Sequence, residues 1–489
     1  MPYTLKEKTI LGIGWSFIDN LANQGVSFIV GLVLANLLTP QEFGVIAIIM
    51  IFIAIANSIV DSGFSSALIR KRDCKSIDYN TVFYFNLLVS VVLYVILYFL
   101  SPVISSFFAE PILEDVTRVI SLILIINALG IVPRTIFVRK IDFKTQAKFS
   151  LISSLVSGVI GILLAIYGYG VWTLVIQQLL RQGLNTFFLC LYSKWTPILE
   201  FSLQSFKELF GFGSKLLLSG LLDTLWKDIY QIVIGRIYST ATLGLYERAK
   251  QFNVIFSSNL TSVISRVSYP ILSSIQDEDE RLKQAYRKVI KTTMLVSTAL
   301  MFGMAACARP MILTLIGYKW IDCVEFLQIL CFSGVLYPLH SLNLNILQVK
   351  GRSDLFLKLE IIKKIIALVP IFIGIYMGIW AMLWCSLINS YVSLYLNCHY
   401  SAPLINYSIK EQIKDLIPIF SINLIVAAVM FVITLLTLPN IILLFLQIFV
   451  GLTLAVIIYE KRRLPEYVEL KNIAYSLRSK MKIINKYGK

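Results

Sequence analysis

Residues 35–46 read ANLLTPQEFGVI and residues 235–246 read GRIYSTATLGLY. Laid over one another at an offset of 200, they put Thr39 on Ser239, Phe43 on Leu243, Gly44 on Gly244 and Val45 on Leu245. Each stretch closes one long apolar segment and opens the next. Paired glycines precede both segments, Gly12 with Gly14 and Gly211 with Gly213. Several matches in register across a span and its turn imply a duplicated unit. With about 20 residues needed per bilayer crossing, the offset leaves room for six helices in each copy.

The rest of the chain fits that frame. Of its 489 residues 57% are hydrophobic and only 15% charged, too few charges to cover a soluble domain of this length. Hydropathy predicts fourteen spans, at roughly 12–38, 44–69, 80–108, 115–138, 147–167, 171–192, 212–238, 249–275, 289–316, 324–348, 357–377, 379–399, 414–438 and 441–459. The first opens near Gly12 and is long enough to stay in the membrane, so no cleavable leader is expected. Lys and Arg gather in alternate loops: Arg70, Lys71, Arg72 and Lys75; Arg139, Lys140, Lys144 and Lys148; Arg281, Lys283, Arg287, Lys288 and Lys291; and the tail from Lys461. By the positive-inside rule those loops and both termini are cytoplasmic, which requires an even number of spans. The expected fold is an all-α polytopic membrane protein of about 14 transmembrane helices. Two pseudo-symmetric six-helix lobes (1–200 and 201–400) would be followed by two further transmembrane helices (401–460) and a basic cytoplasmic tail (461–489).

A net charge of +16 raises the question of nucleic acid. Its placement answers for membrane topology and anionic lipid instead, and no aromatic-interleaved basic groove appears. The seven cysteines are scattered without a CxxC, which reads as apolar packing rather than metal or disulfide. His340 and His399 read as packed or interfacial. No GxxxxGK[ST] loop is present, so ATP is not expected to act directly. No cofactor and no catalytic residue is expected, and the short outward loops leave no room for an external catalytic domain.

Ionisable side chains inside spans are costly and mark function by default. In the first span Ser16, Asn20, Asn23 and Ser27 form one helical face, with Asp19 and Gln24 at its margins. In the seventh, Lys215, Ser219, Asp223, Lys227 and Tyr230 recur by fours and threes, and the 200-residue offset sets Asn23 on Asp223 and Ser27 on Lys227. Asp61 lies in the second span, Arg266 in the eighth, Arg134 in the fourth and Arg181 in the sixth. Asp223 and Lys227 are spaced to pair with one another, and polar stripes also glue helices. Lys215 and Arg266 lack a local acid, however, and a net-positive water-filled cavity between the lobes accounts for the whole set. Unpaired cations at low dielectric favour an anionic ligand. The residues alone specify one that is anionic, amphipathic and bulky.

The LTPQEFGV turn, DSGFSSALIRK after the second span, LGLYERAKQF between the seventh and eighth, and SYPILSSIQ resemble the polysaccharide-repeat-unit flippases, the branch that exports O-antigen and capsule units. Those belong to the multidrug/oligosaccharidyl-lipid/polysaccharide exporter superfamily, whose fold is MATE-like. The resemblance implies transport of an undecaprenyl-pyrophosphate-linked oligosaccharide across the bacterial inner membrane by alternating access. Lys215, Lys227, Arg266, Asn20, Asn23, Tyr230, Arg134 and Arg181 would hold pyrophosphate and sugars. Asp19, Asp61 and Asp223 would serve a coupling ion, H+ or Na+. Membrane lipids and polysaccharide-assembly proteins are the other expected partners. Two rivals stand beside this. A multidrug exporter of the same superfamily usually takes cations on twelve spans. A membrane polymerase or acyltransferase needs a water-facing acid or base.

Overall fold

The computed structural model describes residues 5–61, 63–472 and 475, and among them there are helices and turns but no strand. In chain order the helices are α1 (Leu5–Leu37), α2 (Pro40–Asp61), α3 (Phe64–Arg70), α4 (Ser76–Phe108), α5 (Ile112–Ile120), α6 (Ile123–Arg139), α7 (Phe143–Ile166), α8 (Val171–Ser193), α9 (Leu203–Ile237) and α10 (Thr240–Ser274). They continue with α11 (Asp279–Leu315), α12 (Cys323–Gly334), α13 (Tyr337–Val349), α14 (Ser353–Ile366), α15 (Leu368–Met377), α16 (Ile379–Ser401), α17 (Ile409–Ile433) and α18 (Asn440–Arg462). Nine helical stretches among the described residues are long and apolar enough to cross a membrane: α2 with α3, α4, α5 with α6, α7, α11, α12 with α13, α16 with the turn after it, α17 and α18. All nine are among the fourteen expected by hydropathy. In α8, α9 and α10 polar and charged side chains interrupt the apolar surface, and in α1 only Ala22–Leu37 is apolar. Large apolar side chains on the outward faces fit a lipid surround, as with Leu88, Phe99 and Val103 on α4 and Phe445, Phe449 and Leu452 on α18.

The chain divides into two compact units, 1–247 and 248–489. In the first, a core of Phe64, Leu68, Val82, Phe83, Val132 and Ile136 joins α3, α4 and α6, with Leu209 of α9 packed into it. Arg139 closes the turn after α3. Its guanidinium donates to the carbonyls of Leu68, Lys71 (2.7 Å) and Arg72 (3.0 Å). Asp142 caps α7 by accepting from the Thr145 amide at 3.1 Å. α7 then runs against α1 so closely that a Cβ on Gly158 would meet Val30 at 2.6 Å.

The paired stretches found in the sequence meet in this unit. A Cβ on Gly44 would lie 1.8 Å from the carbonyl oxygen of Thr240, and one on Gly244 would lie 1.9 Å from that of Pro40. Pro40 and Thr240 are themselves equivalent under the 200-residue offset. The start of α2 and the start of α10 therefore touch reciprocally, each glycine receiving the other helix's first carbonyl.

In the second unit α11 packs along α17 and α18. Asn423 of α17 donates to Thr298 of α11 at 2.7 Å and accepts from Tyr459 of α18. Ser408 and Glu411 form a reciprocal capping box at the start of α17. The basic cluster of α11, expected to serve topology and lipid contact, is also largely paired within the protein. Lys283 meets Glu411 (3.3 Å), Arg287 grips Asp415 through two nitrogens, Lys288 meets Glu469 (2.8 Å) and Lys291 meets Glu466 (2.5 Å). The basic tail expected at 461–489 includes these two glutamates. Residues 473, 474 and 476–489, with Lys480 and Lys482, lie outside the described residues.

Candidate functional site

The polar chemistry of the first unit converges on a cavity of about 360 Å³. One wall is α8, where Gln178, Arg181, Gln182 and Asn185 follow one another at i, i+3, i+4 and i+7 and so share a face. A second wall is α7, with Gln146, Ser150 and Ser153 at i, i+4 and i+7. Arg134 enters from α6 and Asp19 from α1. Thr186 of α8 donates to the Ile126 carbonyl of α6 at 3.2 Å, which fixes those two helices against one another. Gln146 donates to the Arg134 carbonyl at 3.3 Å, tying α7 to α6 one residue beyond Pro133.

Its electrostatics are unusual for the inside of an apolar bundle. The Arg134 side chain is exposed, and it lines the cavity. Asp61 acts on it through space, and its own carboxylate accepts from Ser65. Neither guanidinium, that of Arg134 or of Arg181, makes a hydrogen bond or ion pair among the described residues. Asp19 accepts from Asn23, whose side-chain oxygen accepts from Ser154 at 2.9 Å. Asn23 is thereby occupied in joining α1 to α7 and in setting the Asp19 carboxylate at the cavity edge.

Of the residues singled out from sequence, the cavity brings together Asp19, Arg134 and Arg181, with Asn23 supporting Asp19. Asp61 stands behind Arg134. The others lie elsewhere. Asp223 and Lys227 are exposed on α9, Tyr230 is half-buried there, and Arg266 is exposed on α10. No ion pair joins Lys227 or Arg266 to another of the described residues. The side chains of Asn20 and Lys215 lie outside the described residues. The sequence reading passed over Gln146, Ser150, Ser153, Gln178, Gln182 and Asn185. The signal was present as two amide-and-hydroxyl stripes at helical spacing, on α7 and α8. Hydropathy averaged over a window dilutes such stripes among their apolar neighbours.

The second unit holds a larger cavity, of about 690 Å³, walled by Phe302, Phe332, Trp380, Trp384 and Phe431, with Glu325 and Gln328 as its polar members. His340 is not in it. That histidine packs between Ser390 (3.1 Å) and Asn397 (2.9 Å), a structural role. Among the described residues no group of three or more His, Cys, Asp and Glu could hold a metal.

The pattern of a family described as polysaccharide biosynthesis protein matches residues 33–325. The chain belongs to that family. Two relatives within polysaccharide biosynthesis are the teichuronic acid biosynthesis protein TuaB of Bacillus subtilis and the succinoglycan biosynthesis transport protein ExoT of Rhizobium meliloti. The first is 27% identical over 73% of this chain and 74% of its own length. The second is 27% identical over 69% of each. In fold, the chain is similar to the lipid II flippase MurJ in an inward closed conformation, with a TM-score of 0.73 at 16% identity, covering 92% of this chain and 99% of that one. It is also similar to an inward-facing MATE multidrug transporter of the MOP superfamily, with a TM-score of 0.60 at 16% identity, covering 79% and 96%. The resemblance read from the turn motifs is borne out. This member of the polysaccharide biosynthesis family is a multi-pass membrane protein with a fold similar to those of flippases and exporters.

Proposed function

We propose that the protein is a flippase that carries a lipid-linked oligosaccharide repeat unit from the cytoplasmic to the outer leaflet of the bacterial inner membrane. The observation that supports this most directly is the amide-lined cavity with two unpaired guanidinium groups, set inside the apolar helical body of a polysaccharide biosynthesis family member. A bundle that only needed to pack would not gather two unpaired guanidinium groups in a cavity among membrane-spanning helices, where ionisable side chains are rare and mark function by default. An anionic, hydroxyl-rich cargo accounts for them. In this reading the helices form fourteen spans, as two six-helix lobes and two trailing helices, with both termini cytoplasmic.

The carrier is undecaprenyl pyrophosphate. Lys215, Lys227 and Arg266 hold its phosphates, and Asn20, Tyr230, Arg134 and Arg181 meet the sugars, with Asn23 positioning Asp19 beside them, while the lipid tail stays in the bilayer. Alternating access is driven by an H+ or Na+ gradient acting on Asp19, Asp61 or Asp223. A second reading, a drug exporter, draws on the aromatic cavity beside Glu325, since a hydrophobic cation suits a carboxylate among tryptophans.

Reconstituted protein tests the two. Flipping of a fluorescent undecaprenyl-pyrophosphate oligosaccharide in liposomes, falling at least tenfold in Lys227→Ala and Arg266→Ala variants that still fold, is the expected result. No flipping, with gradient-driven uptake of a cationic dye, would replace the flippase by the drug exporter.

A further inference from the structure

Resting on that flippase reading, we propose that the cavity between α6, α7 and α8 is a subsite for an acidic sugar, a uronic-acid-type residue of the repeat unit whose carboxylate is gripped by Arg134 and Arg181. The charge count favours one carboxylate over pyrophosphate. Two guanidinium groups and the Asp19 carboxylate leave the lining with a net single positive charge, and Asp61 adds a further negative field at Arg134. A monoanion is balanced there. A di- or trianionic pyrophosphate would be undercompensated. The neutral lining argues the same way. Gln146, Gln178, Gln182 and Asn185 each offer a donor and an acceptor, and Ser150 and Ser153 offer hydroxyls. That inventory matches the hydroxyls of a pyranose ring, which donate and accept in equal measure. Phosphate oxygens only accept and would leave the amide carbonyls unmatched.

Guanidinium is also the group whose planar fork fits a carboxylate with two parallel hydrogen bonds. The volume of about 360 Å³ falls within the range of small-ligand sites, at roughly 300–1,000 Å³. A neutral glycan would leave both cations without a counter-charge, so the site favours acidic over neutral repeat units.

The test has two arms. In the first, full-length protein in detergent is titrated with a free glucuronic-acid-containing disaccharide and with the matching glucose disaccharide, followed by calorimetry. Wild type should prefer the acidic sugar at least tenfold. Arg134→Gln and Arg181→Gln should each reduce that preference towards unity, by weakening the acidic sugar far more than the neutral one. Arg181→Lys, which keeps the charge and loses the fork, should fall between. Equal binding of the two sugars by wild type, or variants that weaken both sugars alike, would overturn the subsite. The wild-type comparison holds even where a variant fails to fold. In the second arm the same two glycans are offered on undecaprenyl pyrophosphate in proteoliposomes. Preference for the acidic disaccharide with neither lipid flipped removes the flippase reading and leaves the subsite. Both lipids flipped at one rate, without preference in the first arm, removes the subsite and leaves the flippase.

Discussion

Replacing Gly44 or Gly244 by alanine places a methyl group against a backbone carbonyl, at 1.8 Å from Thr240 in one case and 1.9 Å from Pro40 in the other. No rotamer relieves such a clash, because the obstacle is main chain on both sides. The starts of α2 and α10 must separate by roughly 1 Å, in a core packed as densely as an organic crystal. Overpacking of this kind costs about 1–3 kcal/mol, and the rigid obstacle puts these two positions at the upper end. The reciprocity gives a sharper expectation than either single change. Once the first methyl has pushed the helices apart, the second enters space already opened. The double variant should therefore cost less than the sum of the singles by about 1 kcal/mol or more, a coupling in the range seen for residues sharing one backbone shift. Unfolding of purified protein in a mixed-micelle denaturant titration, followed by tryptophan fluorescence, measures all three. Gly211→Ala is the control. A Cβ there meets nothing within 4 Å, so the change should be neutral or stabilise α9 by up to about 1 kcal/mol. Strict additivity at 44 and 244, or two neutral single variants, would refute the reciprocal contact.

Arg139→Ala removes the cation that holds the carbonyls of Leu68, Lys71 and Arg72. Trypsin should then cut at Arg70–Arg72 at least tenfold faster, in line with about 1–3 kcal/mol lost locally, and unchanged cleavage would show the turn to be held by other means. In the second unit Asp415→Asn should lower stability by about 1–3 kcal/mol, since a carboxylate with 9% side-chain exposure loses its two-pronged contact with Arg287. Glu411→Gln keeps the capping box and disturbs only a pair whose acid is 49% exposed, so it should leave the unfolding midpoint nearly unchanged; a loss equal to that of Asp415→Asn would argue against burial as the deciding factor.

Hydropathy made most of the helices legible, because a bilayer demands the same apolar length each time. The breaks inside them were not. The expected fourth span is two helices parted at Ser121–Leu122 with no glycine or proline at the break, an interruption that answers to neighbours in space; the tenth is parted at Val335–Leu336, between Gly334 and Pro338. The Gly44 and Gly244 match was readable because close backbone approach admits one residue type, and the contact repeats with the chain. Arg134 and Arg181 stood out as charges within spans, while their amide surroundings did not. The fate of the basic loops was the least readable. Arg287 meets an acid 128 positions further on, and no window along the sequence joins the two.

The same two arginines bear on how the protein enters its membrane. A helix released singly into lipid pays about 2.5–3.5 kcal/mol for an arginine at its centre on the scale set by the insertion machinery. α8 carries Arg181 among Gln177, Gln178, Gln182 and Asn185 and falls short of the composition of an autonomous span. It packs against both α6 and α7, and α7 is itself apolar enough to enter alone. The order of synthesis thus delivers the shield before the helix that needs it. α8 settles as the last stave of a partly built group, with its polar face turned to α6 and α7 rather than to lipid. Insertion of α8 and assembly of this three-helix group are then one cooperative event, in which the polar cavity forms as the helices leave the translocation channel.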